Sequence, residues 1–221
     1  MINPRFSSLI LVSAMLVGPA AAQAQAVTPA GTFGSLPAAT FGGTGIPNNA
    51  VMTGGVNGAT IGLTATPRFA APAVTNDLAG TFFAAAGAPD LTKPGYAGWN
   101  FDWYINGGTS NSVFKLFVDQ NPAAGNSLGS LLSIPLTPGQ NSWNEGMAFL
   151  GGSFNPNATG EYSFALYQYS VDQTGALTEQ DHVAMNVDVG ATTTPEPSSV
   201  ALLGTGFVGL GGFFKRRRKS A

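Results

Sequence analysis

The stretches GEYSFALYQY (160–169) and HVAMNVDVG (182–190) alternate apolar and polar residues with a period of two. In the first, Tyr162, Phe164 and Leu166 share a side, with Glu161, Ser163 and Ala165 opposite. In the second, Val183, Met185, Val187 and Val189 share a side, with Ala184, Asn186 and Asp188 opposite. Successive side chains of a strand point to opposite faces, so this period predicts half-buried antiparallel strands. SVFKLFVDQ (112–120) repeats the pattern, setting Phe114, Leu116 and Val118 against Lys115 and Asp119.

Outward from these runs, the connections carry turn chemistry: INGGTSN, QNPAAGN, TPGQN, NPNATG and DQTGA. Gly supplies positive φ in such turns, Pro fixes φ, and Asn and Asp bond their own backbone. GTGIPNNAV reads as a turn leading into a strand, and GATIGLTA as a short strand. Long helical periodicity is absent. The expectation is an all-β body, an antiparallel β-sandwich over 27–190. Residues 27–60, rich in Gly, Ala, Thr and Pro, are where looser order is expected.

Composition narrows the chemistry. Only 9% of the 221 residues are charged, far below the usual quarter. Gly (30) and Pro (15) fit many turns, while 15 Phe and three Trp are enough for a packed core. The absence of cysteine excludes disulfides, thiolate nucleophiles and Cys-ligated zinc. Within 27–190 the cations are Arg68, Lys93 and Lys115, against ten acids, a net of −7. Such a body repels phosphate backbones, so a nucleic-acid partner is not expected.

The two ends read as addresses. Residues 1–26 carry Arg5, an apolar run from Leu9 to Val17, a Gly18-Pro19 break and small residues matching the small-x-small rule at Ala20–Ala26. This is a signal peptide with its helix, routed through Sec export and cut by signal peptidase after Ala24 or Ala26. At the other end, 191–221 holds Pro195-Glu196-Pro197, then an apolar run from Val200 to Phe214 interrupted by five glycines, then Lys215, Arg216, Arg217, Arg218 and Lys219. As a helix the 15-residue run reaches about 22 Å, short of the roughly 30 Å bilayer core. Extending it over 198–214 gives a marginal single transmembrane helix, with the basic cluster held in the cytoplasm. Each proline disfavours helix at the residue before it, so the triplet stays extended outside the membrane.

Thr194-Pro195-Glu196-Pro197-Ser198, the apolar run and the basic cluster together resemble the PEP-CTERM sorting signal of Gram-negative bacteria. The resemblance implies recognition by an exosortase, a membrane-embedded processing enzyme. It further implies transient anchoring in the inner membrane, then transfer to the cell surface or an extracellular, exopolysaccharide-rich matrix. The stretches GWNFDWYIN, SVFKLFVD and NSWNEGMAFL, with FGGTGIPNNAV, resemble exported proteins of that group with no assigned function. That looser likeness supports a β fold and transfers no functional residues.

Catalytic, metal and cofactor sites are not expected. His182 is the sole histidine, and no Gly-x-Ser-x-Gly elbow accompanies it. Asp102 and Glu145 stand beside Trp99, Trp103 and Trp143, which raises a glycosidase pair. On a strand, however, Asp102 points away from Phe101 and Trp103, toward solvent. Asp119 with Asn121, and Asp77 with Asn76, offer calcium-type oxygens but no Asp-x-Asp-x-Asp-Gly loop. Asn157 lies in a glycosylation-type triplet that reads better as a turn. Trp99, Trp103, Tyr104 and Trp143 are the candidate carbohydrate-binding set if their rings form an exposed flat face, and core packing is their other reading. Three functions stay open: a non-enzymatic surface or biofilm-matrix protein, a carbohydrate-binding module or adhesin, and a secreted hydrolase.

Overall fold

The computed structural model describes residues 27–190, apart from 44, 70–71, 123–127, 129–130 and 152–153. The signal helix, the transmembrane helix and the sorting residues lie outside the described residues. Eleven strands follow in order: β1 (Thr32–Gly34), β2 (Val51–Gly54), β3 (Ala59–Pro67), β4 (Thr75–Asn76), β5 (Thr81–Ala84), β6 (Trp99–Gly107), β7 (Ser112–Val118), β8 (Leu132–Leu136), β9 (Gly139–Trp143), β10 (Gly160–Val171) and β11 (Leu177–Val189). A 3-10 turn spans Ala148–Leu150, and no α-helix occurs among the described residues.

The strands form two sheets, β1-β2-β3-β6-β9 and β4-β5-β11-β10-β7-β8. Their inner faces close on one apolar core. The alternation read from the sequence holds here: Phe114, Leu116 and Val118, Tyr162, Phe164 and Leu166, and Val183, Met185, Val187 and Val189 are all buried in that core. From the five-stranded sheet, Trp99, Phe101, Trp103 and Ile105 of β6 meet them. Phe101 stacks on Phe164 at 4.7 Å between centroids, and Trp99 meets the edge of Phe164 at 6.1 Å. Offset and edge-to-face contacts of this kind are the favoured aromatic geometries.

One expectation needs correction. The sheets are not purely antiparallel: β5 runs parallel to β11, pairing Thr81 with Asn186 through Ala84 with Val189. Periodicity within a strand carries no information about the direction of a neighbour about 100 residues away, because both orientations share the two-residue repeat. Residues 27–60, rich in Gly, Ala, Thr and Pro, also contribute to the sheets. They supply β1 and β2, and Ala30 exchanges both backbone hydrogen bonds with Ala184 of β11 at 3.0 Å.

Polar contacts tie the sheets at one edge. The register of β10 on β11 shifts after Gln168, which leaves Gln180 as an extra residue. Buried Gln168 donates to Val56 O (3.0 Å) and accepts from Val56 N (3.1 Å). Asp181 Oδ2 accepts from Gly55 N at 2.6 Å. The β2–β3 turn of the first sheet is thus held to the bulged region of the second, a usual place for such irregularity.

Candidate functional site

The outer face of the five-stranded sheet is covered around the middle of β6. Asn100, Asp102 and Tyr104 of β6 point outward, beside Thr64 and Thr66 of β3 and Ser142 of β9. The segment running from β1 to β2 folds over them. Its Ala39 and Phe41 form a second apolar cluster with Val51 and Tyr104, and Leu36 and Ile46 pack against it. Gly62 is a side-chain-free position under this cover: a Cβ there would lie 2.9 Å from Leu36 Cδ2. Gln140 pins the segment, since its Oε1 accepts from Thr40 N (2.7 Å) and Phe41 N (3.0 Å) and its Nε2 donates to Thr40 Oγ1 (2.7 Å).

Asp102 is sealed by this arrangement, and its expected outward, solvated position is corrected: the side chain points away from the core, but the residue has no exposed surface. Thr66 Oγ1 donates to its Oδ2 at 2.7 Å, while Oδ1 has no hydrogen bond of good geometry among the described residues. Burial pushes its carboxyl up to about 7, and the hydroxyls of Ser142 and Thr66 offset only part of that.

Beside the covered patch lies a cavity of about 560 Å³. Phe41 and Ile46 of the covering segment form one wall, Arg68, Phe69 and Tyr96 another, and Thr66, Asn100 and Ser142 lie along the sheet side. Asn144 braces that side: its Nδ2 donates to Ala97 O, Trp99 O and Asn100 Oδ1, and its Oδ1 accepts from Ala97 N and Gly146 N. The Arg68 guanidinium lies over Tyr96 (4.3 Å to the centroid) and Phe69 (5.1 Å), with Asp90 3.5 Å from Nη2. Its Nη1 is buried without a hydrogen-bond partner among the described residues. Phe41 and Phe69 both hold left-handed backbone, at φ 44° and 53°, a conformation bulky residues rarely adopt.

The four aromatics named from the sequence do not share a surface. Trp99 and Trp103 belong to the inter-sheet core, and Tyr104 lies on the opposite face beneath the covering segment. Trp143 is half-buried and meets Trp103 at 5.3 Å and the exposed Phe149 at 5.0 Å, both edge-on. These rings thus form no shared exposed face, and their placement matches the core-packing reading. Three of the rings are needed inside because β6 is covered on both faces.

The remaining acids divide into turn-makers and buried groups. Asp77 Oδ1 accepts from Ala79 N (2.7 Å) and Thr81 N (2.9 Å), and Asn76 Oδ1 from Leu78 N, so this pair shapes a turn. Asn157 donates its N–H to Asn155 Oδ1 in another. Asp119 accepts from Asn121 N and, more distantly, Ser163 N. Glu145 is fully buried, and neither of its oxygens has a hydrogen bond of good geometry among the described residues. Burial, then the nearby Asp119 charge, push it well above the usual carboxylate range, with the Gln120 amide opposing. The Tyr162 hydroxyl, buried near both acids, is pushed up to about 12. His182 stacks on Tyr167 at 4.6 Å and contacts Glu179 at 2.8 Å, on the outer side of β11.

Sequence reasoning missed the cavity. One available signal was the scarcity of cations: Arg68 and Lys93, two of only three in 27–190, both approach the Tyr96 ring.

Comparison with known families adds one finding. The family model described as the PEP-CTERM protein-sorting motif matches residues 193–219, a span holding both Thr194–Ser198 and Lys215–Lys219. This C-terminal segment is a PEP-CTERM sorting signal, consistent with a substrate of exosortase-type machinery. No curated protein and no solved structure matches the chain.

Proposed function

We propose that this is a non-enzymatic protein of the cell surface or biofilm matrix, delivered there by processing at its C-terminal signal. The observation that carries the reading is the sorting motif at 193–219, placed directly after a folded β domain that ends with β11. Signal peptidase removes 1–26 on export. The marginal apolar run then holds the chain in the inner membrane while the extended Pro195-Glu196-Pro197 peptide is gripped by the exosortase. The glycines of that run support a transient anchor, since each weakens a helix by about 1 kcal/mol relative to alanine. The non-enzymatic part of the reading is supported by the sealing of Asp102 and Glu145, the two acids nearest the tryptophans, neither of which has exposed surface. The secreted-hydrolase reading loses its acid pair on the same ground.

A second reading, a carbohydrate-binding module or adhesin, is favoured by the cavity at Arg68 and Tyr96 rather than by the tryptophans.

Mass spectrometry of the surface fraction tests the first reading. The mature protein is expected to lack residues from about Pro197 onward. Replacing Pro195-Glu196-Pro197 by alanines should leave full-length chain in the inner membrane, and deleting 215–219 should let unprocessed chain escape. Wild-type surface protein that still carries the 200–219 peptide would make the tail an ordinary anchor and overturn the proposal.

A further inference from the structure

We infer that the cavity bounded by Arg68, Phe69 and Tyr96 binds an acidic sugar residue, a hexuronate within a saccharide chain. The inference deepens the carbohydrate-binding reading and rests on it.

Three independent features converge on this ligand. The first is charge. In a body of net −7, Arg68 and Lys93 are two of three cations, and both approach the same tyrosine ring. Arg68 is not used up by the fold: its ion pair with Asp90 engages one nitrogen at 3.5 Å, and Nη1 has no acceptor among the described residues. A buried donor without a partner is costly, and a planar guanidinium is the side chain best matched to a carboxylate. No described residue supplies an acceptor there; a ligand carboxylate would.

The second feature is the aromatic rim. Phe69 lines the cavity at 83% exposure, a large apolar ring left in water. It stands in a left-handed backbone conformation, as does Phe41 on the facing wall. Conformations of this kind cluster at ligand sites, where the surroundings enforce them. A pyranose carries an apolar C–H face that such a ring can cover.

The third feature is the polar side. Asn100, Asn141 and Ser142 line the cavity. Asn100 Nδ2 donates to Ser142 Oγ at 2.9 Å, while Asn144 braces the Asn100 carbonyl. Fixed amides and a hydroxyl suit the ring hydroxyls of a sugar. At about 560 Å³ the cavity falls within the range of small-ligand sites.

The experiment uses the exported protein from whichever cell fraction holds it. Isothermal titration compares three probes: trigalacturonate, its methyl ester and cellotriose. Trigalacturonate should bind at least about tenfold more tightly than either neutral probe, since one charge-assisted bidentate pair is at stake. Arg68→Met should remove that preference. Phe69→Ala, at an exposed position, should weaken all three probes while leaving the circular dichroism spectrum unchanged. Equal binding of acid and ester, no binding of trigalacturonate, or a folded Arg68→Met protein that keeps the preference would each overturn the inference. If Arg68→Met fails to fold, the acid-against-ester comparison on the wild-type protein still decides. Failure of the sorting reading shows separately, as a retained tail in the mass spectrum.

Discussion

The two faces of the five-stranded sheet are both buried, yet by opposite means. The inner face is closed by interdigitating rings, with Trp99, Phe101 and Phe164 in direct contact. The outer face is closed by a loop laid over polar residues, with Asp102, Thr64 and Thr66 beneath it and Gln140 as the fastening. The first mode gains from apolar burial and shape. The second must satisfy every polar atom it covers, and among the described residues Asp102 Oδ1 lacks a hydrogen bond of good geometry. An aromatic interior can be deep and inert, whereas a polar interior under a loop remains tunable by pH and by whatever fastens the loop.

The largest effect should come from breaking the inner face. Trp99→Ala removes the most voluminous fully buried side chain, which also contacts Tyr162, Phe164 and Phe154. Destabilisation of about 3–5 kcal/mol is expected in denaturant unfolding. A loss under about 1 kcal/mol would mean that the rings are not the main closure.

An intermediate effect of opposite sign is expected outside. The folded carboxyl of Asp102 titrates near 7 against an unperturbed 3.8. Below about pH 4 both states are protonated and its contribution to stability is fully present; that contribution is lost as pH rises through about 7. Asp102→Asn removes this loss, at the cost of one amide to satisfy. The variant should therefore gain about 2 kcal/mol over wild type at pH 8 and little at pH 4. Comparing variant with wild type cancels the other buried acids. A variant less stable than wild type at pH 8 would show that the carboxylate is held ionised by contacts stronger than those described.

The smallest effect should come from unfastening the loop. Gln140→Ala leaves Thr40 N and Phe41 N without their acceptor, costing about 1 kcal/mol. Amide exchange at 40 and 41 should quicken while amides of β10 and β11 keep their protection. If all of them quicken together, the cover and the sandwich are a single cooperative unit.

On the six-stranded sheet, much of the core-facing side was legible because it is local. Phe114, Leu116 and Val118, or Val183 through Val189, declare a face by their own spacing. The outer face of the five-stranded sheet was not legible, because Tyr104 is covered by residues near Phe41, about 60 positions earlier, in a glycine-rich run with no strand pattern. The same distance hid the cavity, which draws its walls from near residues 41, 68, 96 and 142. The parallel pairing of β5 with β11 was beyond reach for a related reason, since alternation is blind to strand direction. The sorting signal was readable in full because its grammar is linear: motif, apolar run and cations follow in order within 193–219.

The position of β11 has a mechanical consequence. It lies between β10 and β5, paired to β10 along nearly its whole length, and the sorting segment follows directly after it. A pull on that segment enters the domain along the axis of an internal strand. The load is then shared in shear by many transverse hydrogen bonds, instead of being borne by one bond at a time as in a strand peeled from an edge. A domain tethered at this end, however briefly, hangs from an internal strand paired on both sides.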